Sequence, residues 1–575
     1  MPPDVVLATD TAAASGKAAP TRTGRLILWS RPPAFLLVIA GIAAAIGVGM
    51  SFVGAATTGI SVDDPRHATR LDVFYETGLY TTRAEQHAAR AAIPAEAYVY
   101  GPVTALIQHA TNRLLGNDEP ATADRTPSAY TTRHLVVGVL GLIGLLATGA
   151  IASVVLGDKR WGVVAVGALA AIPLWTGHVM FNVKDTPVAS GHTLATLGLV
   201  LLATSRDFKL GRRQVVGALA LAVGTILMLG TRPGMWPSLA ASVTIFVAVL
   251  AWCGELRSRT VAALCGALTV SYTVLLASYP RVYSHPFALL WRSATSSADF
   301  SHLQHPHGRG YLPLHVVEEL PIILLSLVAA GTVVVFTTAS AFLRARSAEA
   351  TGPVLVASQA FTLPVLGVAY GSAFYQGLRQ VLFSVPAAAI LATVGLAALI
   401  SRASSARTRV GWAAIGGIGL VLPMVVQATL FPYQYSYLNV AADASGASMH
   451  VDYLGTSYRA LLPYVRKDIK LVCPQMRSSL ARNIGDCRTR PRGQFSTYWR
   501  ATGQRAYDFP KRREYYAILR GPWTTHHCRT KHEITRRSNL HKVVISRLVR
   551  CEPPATRRNT PPTVSVNPWD SNWTG

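Results

Sequence analysis

Charge is what this sequence lacks most. Only 14% of its 575 residues are Asp, Glu, Lys or Arg, while 50% are hydrophobic, and the mean hydropathy is +0.31. Soluble domains carry about 25% charged residues, so the deficit excludes an ordinary soluble fold and implies a chain that crosses a membrane many times. Acid is scarcer still, with 28 Asp and Glu against 54 Lys and Arg, a net charge of +26. That excess does not indicate a nucleic-acid partner, which needs a basic patch on a soluble face free of membrane spans. Here the cations form short clusters between apolar runs, plus one basic C-terminal region. Also missing are a P-loop, an HExxH helix and a serine elbow. The apolar runs are nearly free of ionisable residues and show no internal repeat, which counts against an ion-coupled transporter.

What is present is about eleven apolar runs near the length a bilayer demands, roughly 17–25 residues. They begin near Phe35, Leu135, Trp161, Pro187, Val215, Pro237, Val261, Pro321, Pro353, Val381 and Val410, and Trp161–Trp175 is short. The first run, Phe35–Ile60, exceeds the roughly 7–15 residues of a signal-peptide core, so it reads as a retained span. Lys and Arg set the orientation. The N-terminal tail (Lys17, Arg22, Arg25, Arg31) and every second loop after it are basic: Lys159/Arg160, Arg206/Lys209/Arg212/Arg213, Arg257/Arg259, Arg344/Arg346 and Arg402/Arg407/Arg409. These lie inside, and the alternate loops lie outside. An odd number of spans then puts the C-terminal region outside. The expected layout is a cytoplasmic tail over 1–33, a membrane module over 34–430 with long outer loops at 61–133 and 279–316, an outer domain over 431–552 and a disordered tail over 553–575.

The outer domain is basic, with 24 Lys and Arg against 9 Asp and Glu in residues 432–575. YYAIL (515–519) and KVVISRLV (542–549) read as strands of a small α/β unit. Four of the six cysteines lie there, Cys473, Cys487, Cys528 and Cys551, and an oxidising compartment favours disulfides. Spacing permits three connectivities; the local pairs Cys473–Cys487 and Cys528–Cys551 are the expectation. Cys253 and Cys265 sit near cytoplasmic helix ends and should stay reduced.

The residues that can carry chemistry gather on the outer side. Asp63 and Asp64 follow the first span in SVDDPRHATR, with His67 nearby. Each short outer loop holds one cation against the positive-inside trend: Lys184 (beside Asp185, which also suits the cap of the fourth span), Arg232 and Arg379. Interfacial anchoring and turn formation explain each of them singly. Together, carboxylates and cations beside a bilayer suit an enzyme whose donor is a lipid-linked phosphosugar, with guanidinium on phosphate and a carboxylate as general base on an acceptor hydroxyl. The His302–His305–His307 cluster with His315 lacks a Cys or carboxylate to complete a zinc set. His192 lies within the fourth span, facing either the site or a neighbouring helix.

Several stretches resemble the GT-C glycosyltransferases, in particular the bacterial branch of family 39 related to protein O-mannosyltransferases and aminoarabinose transferases. They are SVDDPRHATR after the first span, FNVKDTPVASGHTLA leading into the fourth, YQGLRQVLFSVP entering the tenth, and FPYQYSYLNVAA with VDYLGTSYRALLPYV after the last, together spanning residues 35–465. The resemblance implies a GT-C fold, an inner-membrane location, polyprenyl-phosphate sugar donors used outside the cytoplasm on a cell-envelope acceptor, and inversion at the sugar. It makes Asp63 the catalytic base, with Asp64 where Glu is usual, and maps its Lys-Asp pair to Lys184 and Asp185. Its Gly-x-Arg-His piece appears as Arg379 followed by Gln380. His67 and Arg232 join the proposed phosphate-binding set. It also leaves room for a divalent ion at Asp63, Asp64 or His67. The Ala-, Arg- and Val-rich composition fits a high-GC bacterium, where arabinose or mannose on decaprenyl phosphate would be natural donors. A non-enzymatic envelope scaffold holding acidic polymer through the basic domain is the other reading.

The topology is directly testable. Alkaline phosphatase fused after residue 440 should be active and a fusion at residue 209 inactive; the reverse pattern would overturn the orientation.

Overall fold

The computed structural model describes residues 29–551 apart from 62, 90–92, 118–126, 205–210, 303–307, 373, 445–451, 465–469, 473–514, 521–527 and 540. Among the described residues, ten helices are long and apolar enough to cross a membrane: Ala34–Thr57, Ser128–Val155, Asp185–Thr204, Arg212–Thr231, Pro233–Trp252, Ser258–Ser278, Ile322–Arg344, Ala348–Ala369, Gly377–Arg402 and Ala406–Leu430. A bent pair, Lys159–Ala170 and Pro173–Val179, counts as an eleventh when taken as one broken span. They correspond to the eleven apolar runs, and the chain is an α-helical polytopic membrane protein. In hydrocarbon only a helix satisfies its own backbone, which is why apolar length alone dictates this architecture.

The third span is the irregular one. Pro173 has no N–H and cannot continue the helix, and Ile172 before it takes an extended conformation (φ −85°, ψ 111°). The axis turns by 75°. The carbonyl of Ala170, released by the break, accepts from Gln427 Nε2 of the eleventh span at 3.1 Å, and Gln427 Oε1 accepts from the Thr176 hydroxyl. The bend thus costs no orphaned carbonyl at Ala170, and it carries His178 and Asn182 under the end of the bundle.

The fourth and tenth spans are the most enclosed, 83% buried along their apolar windows against 28% for the first and seventh. The fourth and fifth pack backbone to backbone. A β-carbon on Gly198 would lie 2.5 Å from Leu221 N, and one on Gly224 only 2.4 Å from Ala195 N. Small residues allow this approach in a membrane, where packing drives association. It brings the start of the fourth span beside Thr231, the end of the fifth.

At one end of the bundle lie the helices of the two long loops, Asp63–Thr77, Arg83–Ala88, Glu96–Val99 and Val103–Leu114 in the first, Pro280–Tyr283, Pro286–His302 and Tyr311–Glu319 in the second. The C-terminal unit is a four-stranded sheet of β1 (Lys470–Val472), β2 (Tyr515–Arg520), β3 (Cys528–Ser538) and β4 (His541–Cys551), in the order β1-β2-β4-β3. β1 and β2 are parallel, the other pairs antiparallel. β2 and β4 match the two strands read from sequence; β3, whose run CRTKHEITRRS is polar, does not show as one. Ile534, Ile545 and Leu548 of the sheet pack with Tyr458 and Leu461, and with Tyr433, Tyr435 and Tyr453, against Met180 and Phe181. Arg536 Nε donates to Phe431 O at 2.7 Å, and the Thr429 hydroxyl to Arg537 O at 2.7 Å. The β3–β4 register places Cys528 opposite Cys551; Cys473 and Cys487 lie outside the described residues, as does the 553–575 tail. Cys253 and Cys265 are free thiols.

A Gly224→Val substitution should part the fourth and fifth spans and destabilise the chain by about 1–3 kcal/mol, read as a lower melting temperature in detergent. An unchanged melting temperature would contradict the close approach.

Candidate active site

The site forms where the first long loop, the third–fourth loop and the start of the tenth span meet. Asp63 begins the Asp63–Thr77 helix, and its Oδ2 receives Lys184 Nζ at 2.8 Å and Arg379 Nη1 at 3.2 Å. Asp185 receives Arg232 Nη2 on Oδ1 at 2.6 Å, and Arg379 Nε lies 3.8 Å from its Oδ2. Five residues selected from sequence, Asp63, Lys184, Asp185, Arg232 and Arg379, therefore form one cluster. Three cations face two carboxylates, so one positive charge is left over. The Nε–H groups of Arg232 and Arg379 are buried and without a hydrogen-bond partner among the described residues. A buried charge with unmatched donors is costly and favours an anionic ligand.

Burial alone would raise the Asp63 carboxyl, but Lys184 and Arg379 outweigh it and hold the group well below the usual carboxylate range. Burial likewise would lower Arg232, yet Asp185 beside it raises it. His67 is pushed well below its ordinary value by burial and then by Arg70 and Lys184. Its Nδ1 pairs with the Tyr80 hydroxyl at 3.0 Å.

Local backbone aims these groups. Asn182 Oδ1 accepts from the N–H groups of Lys184 (3.3 Å) and Asp185 (2.9 Å), so Asn182 caps the fourth span. Asp185, expected as the cap, is free to pair with Arg232. Before Arg379, Gln376 and Gly377 both take left-handed conformations (φ 57° and 66°). A β-carbon on Gly377 would sit 2.0 Å from Glu319 Oε1, so glycine is required. The Gly377 N–H donates to the Tyr311 hydroxyl at 2.8 Å and the Leu378 N–H to Glu319 Oε2 at 3.0 Å. Tyr100 lies at the centre: Arg70 stands 4.4 Å, and Lys184 and Arg232 each 5.6 Å, from its ring centroid, with His67 edge-on at 5.2 Å. Each such contact is worth about 0.5–2 kcal/mol. Arg70 itself is closed off by Glu85 at 2.7 Å.

Asp64 differs from expectation. One helical step from Asp63, its carboxylate turns into the protein, where Oδ2 accepts from Ser61 N (3.0 Å) and the Ser61 hydroxyl (2.7 Å) and meets His134 Nε2 at 2.9 Å. It ties the first loop to the second span and takes no part in the Lys184–Arg379 pairing of Asp63. Asp63, Asp64 and His67 therefore do not converge on a shared ion: two cations occupy Asp63, and Asp64 points away. Among the described residues no three His, Cys, Asp or Glu side chains form a metal-binding group. His315 pairs with Glu319 at 3.0 Å and Glu318 at 3.4 Å; His305 and His307 lie outside the described residues. His192 faces the sixth span, meeting the Ser238 hydroxyl at 3.1 Å.

Sequence reasoning assigned no role to Tyr100, Glu319, His178, Asn182 or Tyr453. Asn182 and Tyr453 stand within the stretches that carry the resemblance. Nothing in the sequence marks the other three.

No protein-family model matches the chain, and no curated protein matches it. Among solved structures it is similar to ArnT from Cupriavidus metallidurans bound to undecaprenyl phosphate, with a TM-score of 0.49 and 13% identity over 89% of this chain and 98% of that one. The apo state of the same protein gives 0.45 and 13%, over 88% and 97%. The archaeal oligosaccharyltransferase AglB from Archaeoglobus fulgidus, in complex with an inhibitory peptide and a dolichol-phosphate, gives 0.47 and 14%, over 83% of this chain and 61% of that one.

Proposed function

We propose that the chain is a membrane glycosyltransferase that moves a sugar from a polyprenyl-phosphate donor to an extracytoplasmic acceptor with inversion. The observation that carries this reading is the largely buried cluster of three cations on two carboxylates at one end of the bundle. Its surplus of one positive charge matches the single negative charge of a sugar–phosphate–lipid diester. Stretches that resemble the GT-C enzymes supply Asp63, Lys184, Asp185 and Arg379, the first and last of them 316 residues apart, to this one place.

The donor phosphate takes over Lys184 and Arg379 from Asp63. Asp63 then loses the two charges that suppress its basicity, and its carboxylate becomes the general base for the acceptor hydroxyl. The acceptor oxygen bonds to the anomeric carbon as the bond from that carbon to the phosphate oxygen breaks. The proton goes to Asp63, and the electron pair leaves with the phosphate. The phosphate passes from one negative charge to two, and Lys184 and Arg379 stabilise that increase in a desolvated site. Asp185 holds Arg232 and steadies Arg379. No step here passes through a metal ion.

Two outcomes test this. In membranes given polyprenyl-phosphate mannose or arabinose, Asp63→Asn should cut transfer by about 10²–10⁴-fold, the usual contribution of a general base, at normal expression. Equal transfer by wild type and variant would remove Asp63 from the mechanism. The pH profile carries the second. A carboxyl held low in the free protein is ionised, and its ion pairs are intact, at every pH above the ordinary carboxylate range; they are lost only as pH falls through the lowered value. Donor binding removes those partners and raises the carboxyl. The acidic limb of kcat should therefore lie at higher pH than that of kcat/KM; coincident limbs would show that the donor leaves Asp63 clamped.

A further inference from the structure

Tyr453 belongs to the segment after the last span, and its hydroxyl meets His178 Nε2 at 2.9 Å. The direction of that hydrogen bond follows from atoms further back. Asn182 Oδ1 is committed to two backbone N–H groups, those of Lys184 and Asp185. The amide orientation is thereby fixed, and Nδ2 must be the atom that faces both Asp185 Oδ2 and His178 Nδ1, each at 3.0 Å. Nδ2 only donates, so His178 Nδ1 accepts and carries no proton. The ring proton sits on Nε2 and is donated to the Tyr453 oxygen. The phenol hydrogen cannot go back to His178, and among the described residues the hydroxyl bonds no other group.

Tyr453 is held rigidly. Asp452 beside it has a left-handed backbone (φ 38°) and is fully buried. Its carboxylate accepts from Thr456 N at 2.8 Å, from Ser457 N at 3.1 Å, and from the Tyr435 and Ser457 hydroxyls. The Tyr435 ring packs edge-on against Tyr453 at 5.3 Å. The Arg379 guanidinium carbon lies 5.8 Å from the Tyr453 ring centroid, and the buried Nε–H of Arg379, like that of Arg232, lacks a hydrogen-bond partner among the described residues. A phenol O–H without a bonded acceptor among the described residues thus belongs to the ring that faces Arg379, whose Nε stands 3.8 Å from Asp185 Oδ2 and is not hydrogen-bonded to it.

We propose that Tyr453 is a donor-binding residue, its hydroxyl proton turned outward by the Asp185–Asn182–His178 chain to bond a non-bridging phosphate oxygen of the donor beside Arg379. The inference rests on the phosphate-donor reading above and adds a neutral ligand to its cations. Tyr453 touches the substrate; His178 and Asn182 are positioning residues. Burial pushes the phenol well above its ordinary value, with Glu319 and Asp185 adding to it against Arg379, so the proton stays on the oxygen.

The test is equilibrium binding of undecaprenyl phosphate and of undecaprenol to the full chain in nanodiscs, with melting temperatures in parallel. Wild type should prefer the phosphate. Tyr453→Phe keeps the ring under Arg379 and should weaken phosphate binding about tenfold or more, the value of a hydrogen bond to a charged acceptor, while leaving undecaprenol binding unchanged. His178→Gln should weaken phosphate binding in the same selective way, and adding it to Tyr453→Phe should cost nothing further, because the two act as a unit. Phosphate binding by Tyr453→Phe equal to wild type, or equal weakening of both lipids, overturns the inference and leaves the donor reading standing. Additive losses in the double variant also overturn it. If Tyr453→Phe does not fold, His178→Gln decides alone by its phosphate-to-alcohol preference. A wild type that does not distinguish the two lipids removes the donor reading and this inference with it.

Discussion

The Asp63 carboxylate with Lys184 and Arg379 on its Oδ2 is the contact on which the rest of the site depends. Its three members come from the loop after the first span, the loop before the fourth and the first turn of the tenth. None of these charges is tolerable alone in a buried place, because removing one partner of a buried pair leaves an uncompensated ion, a loss of about 3–5 kcal/mol. The cluster therefore fixes where three membrane helices end relative to one another. Arg232 and Asp185 extend the constraint to the fifth span, through a glycine seam that lets the fourth and fifth helices touch. A cluster that is one carboxylate short of neutral is poorly built for stability. It is well built to receive an anion.

Irregular backbone is concentrated around this cluster. The break at Pro173, the paired left-handed residues Gln376 and Gly377, and the Asp452 turn each present a polar side chain that a continuous helix could not place. In each case the freed backbone or carboxylate groups find partners: Gln427 for the Ala170 carbonyl, Tyr311 and Glu319 for the Gly377 and Leu378 N–H groups, Ser457 and Thr456 for Asp452. Non-helical chain near the bilayer is allowed on that condition. The small sheet takes part indirectly, since Ile534, Ile545 and Leu548 back the aromatic group that holds Tyr453.

The membrane architecture was the most legible part of the sequence. Apolar length has one structural meaning in a bilayer, so ten of the eleven runs become continuous helices long enough to cross it, and the short third run is the one that bends. Charged residues stranded in apolar surroundings were legible for a related reason: Lys184, Arg232 and Arg379 have no bland place to go except the interface. Side-chain direction was not legible. Asp63 and Asp64 are adjacent and chemically alike, yet one helical step of about 100° sends the first toward two cations and the second toward His134. Tyr100 and His178 are common residue types whose roles come only from what the fold packs against them. β3 escaped notice because Ile534 is the one aliphatic residue in CRTKHEITRRS, too few for an apolar alternation to show, although that residue is buried against the aromatic group.

Asp63 and the donor phosphate compete for the same two cations, Lys184 and Arg379. The most direct test is the affinity of the Asp63→Asn protein for undecaprenyl phosphate. Removing the carboxylate removes the competitor and leaves Lys184 and Arg379 uncompensated, so the variant should bind the phosphate more tightly than wild type while failing to transfer sugar. Binding that is equal to or weaker than wild type, in a protein that melts normally, would show that the phosphate does not take these cations from Asp63 and would contradict the account.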